Sequence, residues 1–295
     1  MPKKINKDYS IINEQIIEKS QIAKFIPVTL VNSLENEFKY QEYVQESNNE
    51  VKRTINSKSF SLGTSEVSTV ATKDQFFQLN KDYNVDATAM LTNATIERMS
   101  QGIREQYIRA INELAGKNKE HYSLWDKVIA FFYTIFNKKY VKVYKIKSIK
   151  ELQRKIMNES NRIFHRVMVA PPDFVICNLN TSLNLQASSD YVYYAKSEMQ
   201  DTLSGIYTIG KLANLTIYVN PFMKWNDNTI IIGRKINKND AGLHMFLYDK
   251  GTSIVTTQGL FKKILLKVNY ALIDVGEHPE YNYLKFVYNS KKSLI

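Results

Sequence analysis

Residues 93–116, NATIERMSQGIREQYIRAINELAG, leave the chain little choice of local structure. Apolar side chains fall at Ile96, Met99, Ile103, Tyr107, Ala110, Ile111 and Leu114. Steps of three and four put them on one stripe of an α-helix; a strand's alternation does not fit. Thr92 and Asn93 are suited to cap the first amides, and Gly116 to end the helix in a left-handed turn. The residues off the stripe are charged or amide, among them Glu97, Arg98, Arg104, Glu105 and Arg109. At 1.5 Å per residue the helix runs roughly 35 Å, long enough to be the beam on which other layers rest. On periodicity alone an ordinary core helix fits equally well.

A second helix is expected over 149–168. Ser148 and Glu151 have capping-box spacing, Leu152, Ile156, Ile163 and Val167 share a face, and Pro171 and Pro172 follow. The two long helices are expected to pack stripe to stripe. Residues 8–26 read as a third helix, capped by Asp8 and stopped by Pro27, lying either on its own core or on a neighbouring chain. Residues 34–60 read as a two-stranded ribbon around the polar turn Ser47–Glu50. Residues 61–72 and 140–147 read as strands. The second half is rich in short strand candidates: DFVIC, LTIYV, TIIIG, GLHMFLY and SIVTT, then the longer KKILLKVNYALIDV and YLKFVY. Helix-rich and strand-rich stretches are segregated, which indicates an α+β protein.

Composition narrows the class. The 295 residues suffice for one large or two ordinary domains, and 44% hydrophobic with 23% charged residues describes a folded chain. No run approaches eighteen apolar residues, so no membrane-spanning helix and no membrane partner is expected. The opening MPKKINKDYS has no apolar h-region, so no secretory leader is expected. Cys177, the single cysteine, lies in DFVIC and reads as a buried thiol.

Catalytic and cofactor motifs are not found. Gly205–Leu212, GIYTIGKL, follows Walker A spacing except at its last position, where Leu212 replaces the Ser or Thr that holds Mg²⁺. Ile206, Tyr207 and Ile209 are too bulky for a loop wrapping phosphate, so a turn between strands is expected there. His121, His165, His244 and His278 have no ligand spacing with one another. GxSxG, HExxH and CxxC do not occur. No enzyme activity, cofactor or metal is expected.

The charge is concentrated. The chain carries +11, and residues 117–155 alone hold eleven Lys or Arg against three Asp or Glu. Phe131, Phe132, Tyr133, Phe136, Tyr140 and Tyr144 are interleaved with them. A solvated lysine-rich face explains this; so does a surface against phosphate. Lys138, Lys139, Lys142, Lys145 and Lys147 are the candidate residues for such a surface.

Taken together, these blocks resemble a known family. NVDATAMLTNATIERMSQGIREQYIRAIN (84–112) is similar to the spine-helix region of T-even-type myovirus major capsid proteins. IMNESNRIF with DFVICN (156–164, 173–178) resembles their second helix and following strand. GKLANLTIYVNPF, DNTIIIGRK and DAGLHMFLY (210–248) resemble their axial strands and turns, in the same order. The resemblance covers about 60–290; residues 1–59 agree by position.

It implies the Hong Kong 97 fold: an N-terminal arm (1–33), an extended loop (34–60), a peripheral domain with the spine helix (61–168), an axial domain (169–262) and returning C-terminal strands (263–295). It implies a major capsid protein of the virion, assembled in the host cytoplasm into hexamers and pentamers around double-stranded DNA. Portal, scaffold, vertex or decoration proteins are the implied further partners. The extended loop would reach over the adjacent subunit through Tyr40, Tyr43, Val44, Val51 and Ile55, with Lys52, Arg53 and Lys58 pairing with acidic groups there. T-even capsid proteins are longer, with an inserted domain and a cleaved N-terminal segment; this chain has no room for the one and no mark of the other. A vertex protein of the same fold, an encapsulin-like shell and a nucleic-acid-binding protein of another fold are the alternatives.

Overall fold

The computed structural model describes residues 9–45, 51–83, 86–119, 122–136, 140, 142–194, 205–249, 253–257 and 261–289. In chain order come α1 (Tyr9–Ser20), β1 (Val28–Val31), the ribbon β2 (Glu35–Gln45) and β3 (Val51–Ser61), and β4 (Gly63–Thr72). Next are α2 (Lys73–Tyr83), α3 (Ala87–Lys117), α4 (Leu124–Ile135), β5 (Val143–Lys145) and α5 (Ile149–Val167). Then follow β6 (Phe174–Cys177), α6 (Leu179–Gln186), β7 (Tyr191–Tyr193), β8 (Tyr207–Leu212), β9 (Leu215–Val219) and β10 (Thr229–Gly233). The last are β11 (Gly242–Tyr248), β12 (Ser253–Thr257), β13 (Phe261–Val275) and β14 (Tyr283–Asn289). Asp8, His121, the turn Ser47–Glu50, Lys138 and Lys139 lie outside the described residues.

The chain divides into two compact units. The first comprises Met1–Tyr40, Ile55–Ile108 and Leu243–Val275. Its five-stranded sheet runs β1-β11-β13-β12, with β4 also on β13. β13 pairs with β4 over ten positions, from Phe261 opposite Thr72 to Tyr270 opposite Gly63. Its Ile264, Leu266 and Val268 are buried and alternate with less buried residues, the period of a sheet with one face on a core. β1 joins in parallel, Val28 opposite Met245.

Within this unit the stripe of α3 is buried as expected: Ile96, Met99, Ile103 and Tyr107 have at most 2% of their surface exposed. Tyr107 donates from its hydroxyl to the Ser20 carbonyl (3.0 Å), and Arg104 donates to that of Lys19 (2.6 Å). Thr95 bonds Thr69 of β4 (2.9 Å), and Tyr270 of β13 donates to Gln106 (2.8 Å). α1 lies on its own core: Ile12 and Ile16 are buried, and Asn13 donates to the carbonyls of Tyr248 and Asp249. α1 ends at Ser20 and a short 3₁₀ turn, Ile22–Lys24, replaces the expected last helical turn.

The second unit comprises Gln41–Thr54, Arg109–Gly242 and Gly276–Ile295. Its seven-stranded mixed sheet has the order β5-β14-β10-β6-β9-β8-β7. β6 pairs with β9 and β14 with β5 in parallel; the other neighbours are antiparallel. The middle strands are the continuous apolar runs FVIC and TIIIG, almost wholly buried. Gly233 is required there, because a Cβ would lie 2.2 Å from the Phe174 ring.

Several expectations need correction. α3 starts six residues before Asn93, because the Asp86 carboxylate accepts from the amides of Thr88 (2.9 Å) and Ala89 (3.2 Å). Gly116 does not end it; it is the last residue but one of the helix, against the Lys285 side chain. The stripe of α5 lies on the sheet of its own unit: Leu152, Ile156 and Ile163 join one core cluster with Val175, Ile217, Ile232 and Phe286, which among the described residues has no member from α3. Residues 207–212 are a strand, not a turn. Gly210 serves close strand approach, since a Cβ would lie 2.3 Å from the Val192 carbonyl oxygen. β1, β7 and α6 were not anticipated, and the strand expected over 140–147 is only the three residues of β5.

Candidate assembly surfaces

The ribbon β2–β3 has a buried root. In the first unit Phe38 lies 4.7 Å from the His244 ring and 5.0 Å from Phe246, and Phe60 lies 4.3 Å from Phe246. Tyr40 is buried. In the second unit the Gln41 amide donates to the Asn239 carbonyl (2.6 Å), and the Gln41 carbonyl accepts from Ala241 (2.8 Å). Glu42 is buried and accepts from the Glu277 amide (2.8 Å). Gln41, Glu42, Ala241 and Glu277 border a cavity of about 240 Å³ within the second unit that Arg166, Arg234, Asp240 and Tyr281 also line. Arg234 is 2% exposed, held by two donations to the Asn282 side-chain oxygen (3.0 and 2.9 Å), with Asp240 at 4.0 Å.

Beyond this root the ribbon is exposed. Lys52 and Arg53 are exposed, and Ile55 has 69% of its surface free. Lys58 meets its own chain: it donates to the Asp274 carbonyl (2.6 Å), with the Asp274 carboxylate at 3.7 Å. The side chains of Tyr43, Val44 and Val51 lie outside the described residues.

The basic segment splits in two. Lys145 and Lys147 are exposed. Lys142 is committed to a network that fixes α4. Ser123 donates to Asp126 from its amide (2.8 Å) and its hydroxyl (2.6 Å), and the Asp126 amide returns a bond to the Ser123 hydroxyl (3.3 Å). This is a capping box. Tyr140 donates to the second carboxylate oxygen (3.0 Å), and Lys142 forms a close ion pair with the first. Burial alone would raise the Asp126 carboxyl. The bonds from Lys142, Ser123 and Tyr140 overcome that and hold it well below the usual carboxylate range. Tyr122 closes the network, donating to the Tyr140 carbonyl (3.1 Å) and accepting from the Lys142 amide (3.2 Å).

So anchored, α4 turns Asp126 and Ala130 inward and its bulk outward. Leu124, Trp125, Phe131, Phe132, Ile135 and Phe136 are exposed, Trp125 by 78%. A helix this apolar reads in sequence as a core helix, which is why no α4 residue entered the candidate set. The available signal was the absence of a polar face in Trp125–Phe136.

A second apolar surface was also missed. Leu179 and Leu183 of α6, Val192 and Tyr193 of β7, and Phe222 and Trp225 are all exposed. Asn178, the N-cap of α6, accepts from Thr181 (2.7 Å) and donates to the carbonyls of Lys224 (2.9 Å) and Trp225 (2.7 Å). Tyr193 donates to the Gln186 carbonyl (3.1 Å). Each of these residues is unremarkable alone, and only the fold gathers them.

Among the described residues no three His, Cys, Asp or Glu come together as a metal set. Cys177 is fully buried, and burial pushes its thiol up to about 12. His244 is buried among rings, and His278 stacks on Tyr281 at 4.5 Å. The described residues include no helix long and apolar enough to cross a membrane.

No curated protein matches the chain in sequence. Solved structures do match in fold. A virus-like particle from Pyrococcus furiosus aligns with TM-score 0.52 at 13% identity, over 93% of this chain and 97% of that one. The holo-SrpI encapsulin of Synechococcus elongatus aligns at 0.50 and 11%, over 91% and 86%. The satellite phage P4 procapsid aligns at 0.50 and 11%, over 94% and 98%. The fold is therefore of the Hong Kong 97 type, shared by phage capsids and encapsulins. A family model described as major capsid protein Gp23 matches residues 5–274. The buried spine helix, the two sheets, the projecting ribbon and the uncovered apolar faces thus have a common explanation: the chain belongs to the major capsid protein Gp23 family, the shell-forming capsid proteins of T-even-type bacteriophages.

Proposed function

We propose that the chain assembles into hexamers and pentamers that tile a closed head around double-stranded DNA, and that it works by association, without catalysis. The observation that carries this reading is the anchored, outward-facing α4. An ordered helix with its aromatic side in water needs a partner in the functional state. The first unit would serve as the peripheral domain and the second as the axial domain. The ribbon, rooted through Phe38, Tyr40 and Glu42, would act as the extended loop on an adjacent subunit. Lys145 and Lys147, with Lys150 and Arg154 on the next helix, would face packaged DNA or an acidic capsomer boundary; Lys142 is already engaged within its own chain. Assembly would take place in the host cytoplasm.

Negative-stain microscopy of the purified protein tests this. Closed shells or free six- and five-membered rings are expected. Pentamers alone would assign the chain to the vertices, and an exclusively monomeric protein across salt and concentration would overturn the reading.

A further inference from the structure

The two apolar surfaces of the second unit belong to different parts of one sheet: α4 lies beside one edge, and the other surface runs from the end of the central strand β6 to the opposite edge. β5 is the strand at one edge and β7 at the other; six inter-strand steps of ~4.8 Å put about 30 Å between them. α4 is tied to the residues just before β5 by Tyr122 and Lys142. At the far edge Val192, 61% exposed, lies on β7 itself; Trp225 sits beyond the end of the central strand β6, bonded to the start of α6 through Asn178.

The area and charge of α4 indicate what covers it. Its large apolar side chains expose roughly 1,000 Å², above the ~300–600 Å² patch of a typical monomer and close to the ~800 Å² each partner gives a standard interface. Lys127 is the one exposed charge among the residues of α4, whereas a helix lying on an anionic membrane carries a row of Lys or Arg. The receiving surface on the same chain is also apolar, and Asn178 and Tyr193 tie its parts together. Two unlike patches of one subunit that meet make a head-to-tail contact, which closes into a ring; a self-complementary patch makes only pairs.

We propose that α4 of one subunit docks on the α6–β7–Trp225 surface of a second copy, so that the β5 side of one subunit's sheet meets the β7 side of the next around a ring. This rests on the reading of the chain as a ring-forming capsid subunit. It adds which faces meet and in what polarity.

The test uses the full chain. Phe132→Cys, Val192→Cys and the double variant are assembled and bridged with a short bismaleimide; buried Cys177 does not compete. The double variant is expected to give a ladder of covalent oligomers up to ring size, and each single variant only monomers. Phe132→Glu, at an exposed position, is expected to keep the wild-type melt and to need at least tenfold more protein to form rings. Covalent dimers from Phe132→Cys alone would overturn the proposal, because α4 would then meet its own copy. Normal shells from Phe132→Glu without cross-links in the double variant would overturn it while leaving the capsid reading intact. Wild-type protein that instead sediments with phosphatidylglycerol vesicles through Phe132 would overturn it in favour of a membrane. Wild-type protein that forms neither rings nor shells fails earlier and overturns both readings.

Discussion

At Asp126 one carboxylate receives hydrogen bonds from Ser123 and Tyr140 and an ion pair from Lys142. Its pKa is depressed in the folded chain, so the stability it contributes is fully present above the unfolded value of ~3.9 and is lost as pH falls below it. Asp126→Ala should cost about 1–3 kcal/mol at pH 7, from the lost cap and the lost charge-assisted bonds. The gap between the thermal melts of wild type and variant should narrow progressively as pH falls below about 4, and close only below the depressed native value; a constant gap would mean the carboxylate does not anchor α4. Single residues were unevenly legible. Cys177 in an apolar strand was readable as a buried thiol, because burial follows from its neighbours in sequence. Gly210 was not: its reason is the Val192 carbonyl, eighteen positions away in sequence and adjacent only once β7 and β8 pair.

Elements were more legible than their ends and partners. The stripe of α3 was readable because a 3.6-residue period is written locally. Its true start was not, because Asp86 outcompetes Thr92 and Asn93 as the cap only once the chain has turned. Five strands, LTIYV, TIIIG, GLHMFLY, SIVTT and DFVIC, were found almost to the residue, their apolar β-branched runs being bounded by turn residues. The partner of α5 was misjudged, since a stripe shows that a face is buried and does not say against what. Ile103→Asp tests the α3 stripe: it leaves a charge in the core without a partner and should cost about 3–5 kcal/mol. A urea melt at wild-type midpoint would show that this face is not core. For the ribbon, deletion must respect the buried root at Phe38–Glu42. Replacing 44–53 by a short Gly-Ser turn should change stability by less than about 1 kcal/mol and abolish shells, as seen by sedimentation. Shells of normal yield would show that the exposed ribbon does not clamp a neighbour.

For the whole molecule, the fold class was readable. Each unit is assembled from three separated stretches, which no local pattern spells out. The interaction surfaces were hidden for a related reason. Apolar residues placed outward for assembly look in sequence like those placed inward for folding, and only burial separates Trp125 from Ile103. Charge reversal at Lys145 and Lys147 together belongs to this scale. Both are exposed, so particles should form with reduced DNA content, and added salt should narrow the difference from wild type by screening. Unchanged DNA per particle at low salt would remove these lysines from the interior face.

The three-part first unit also bears on time. β13 is the strand to which β4, β11 and β12 all attach, and it ends at Val275. When Ile108 leaves the ribosome the first unit's part of the α3 stripe is made, yet the strands that finish its sheet are 135 or more residues away. At ~5–20 residues per second that leaves the stripe waiting on the order of 10–30 s. A nascent chain of this kind carries an uncovered apolar helix face until β13 arrives.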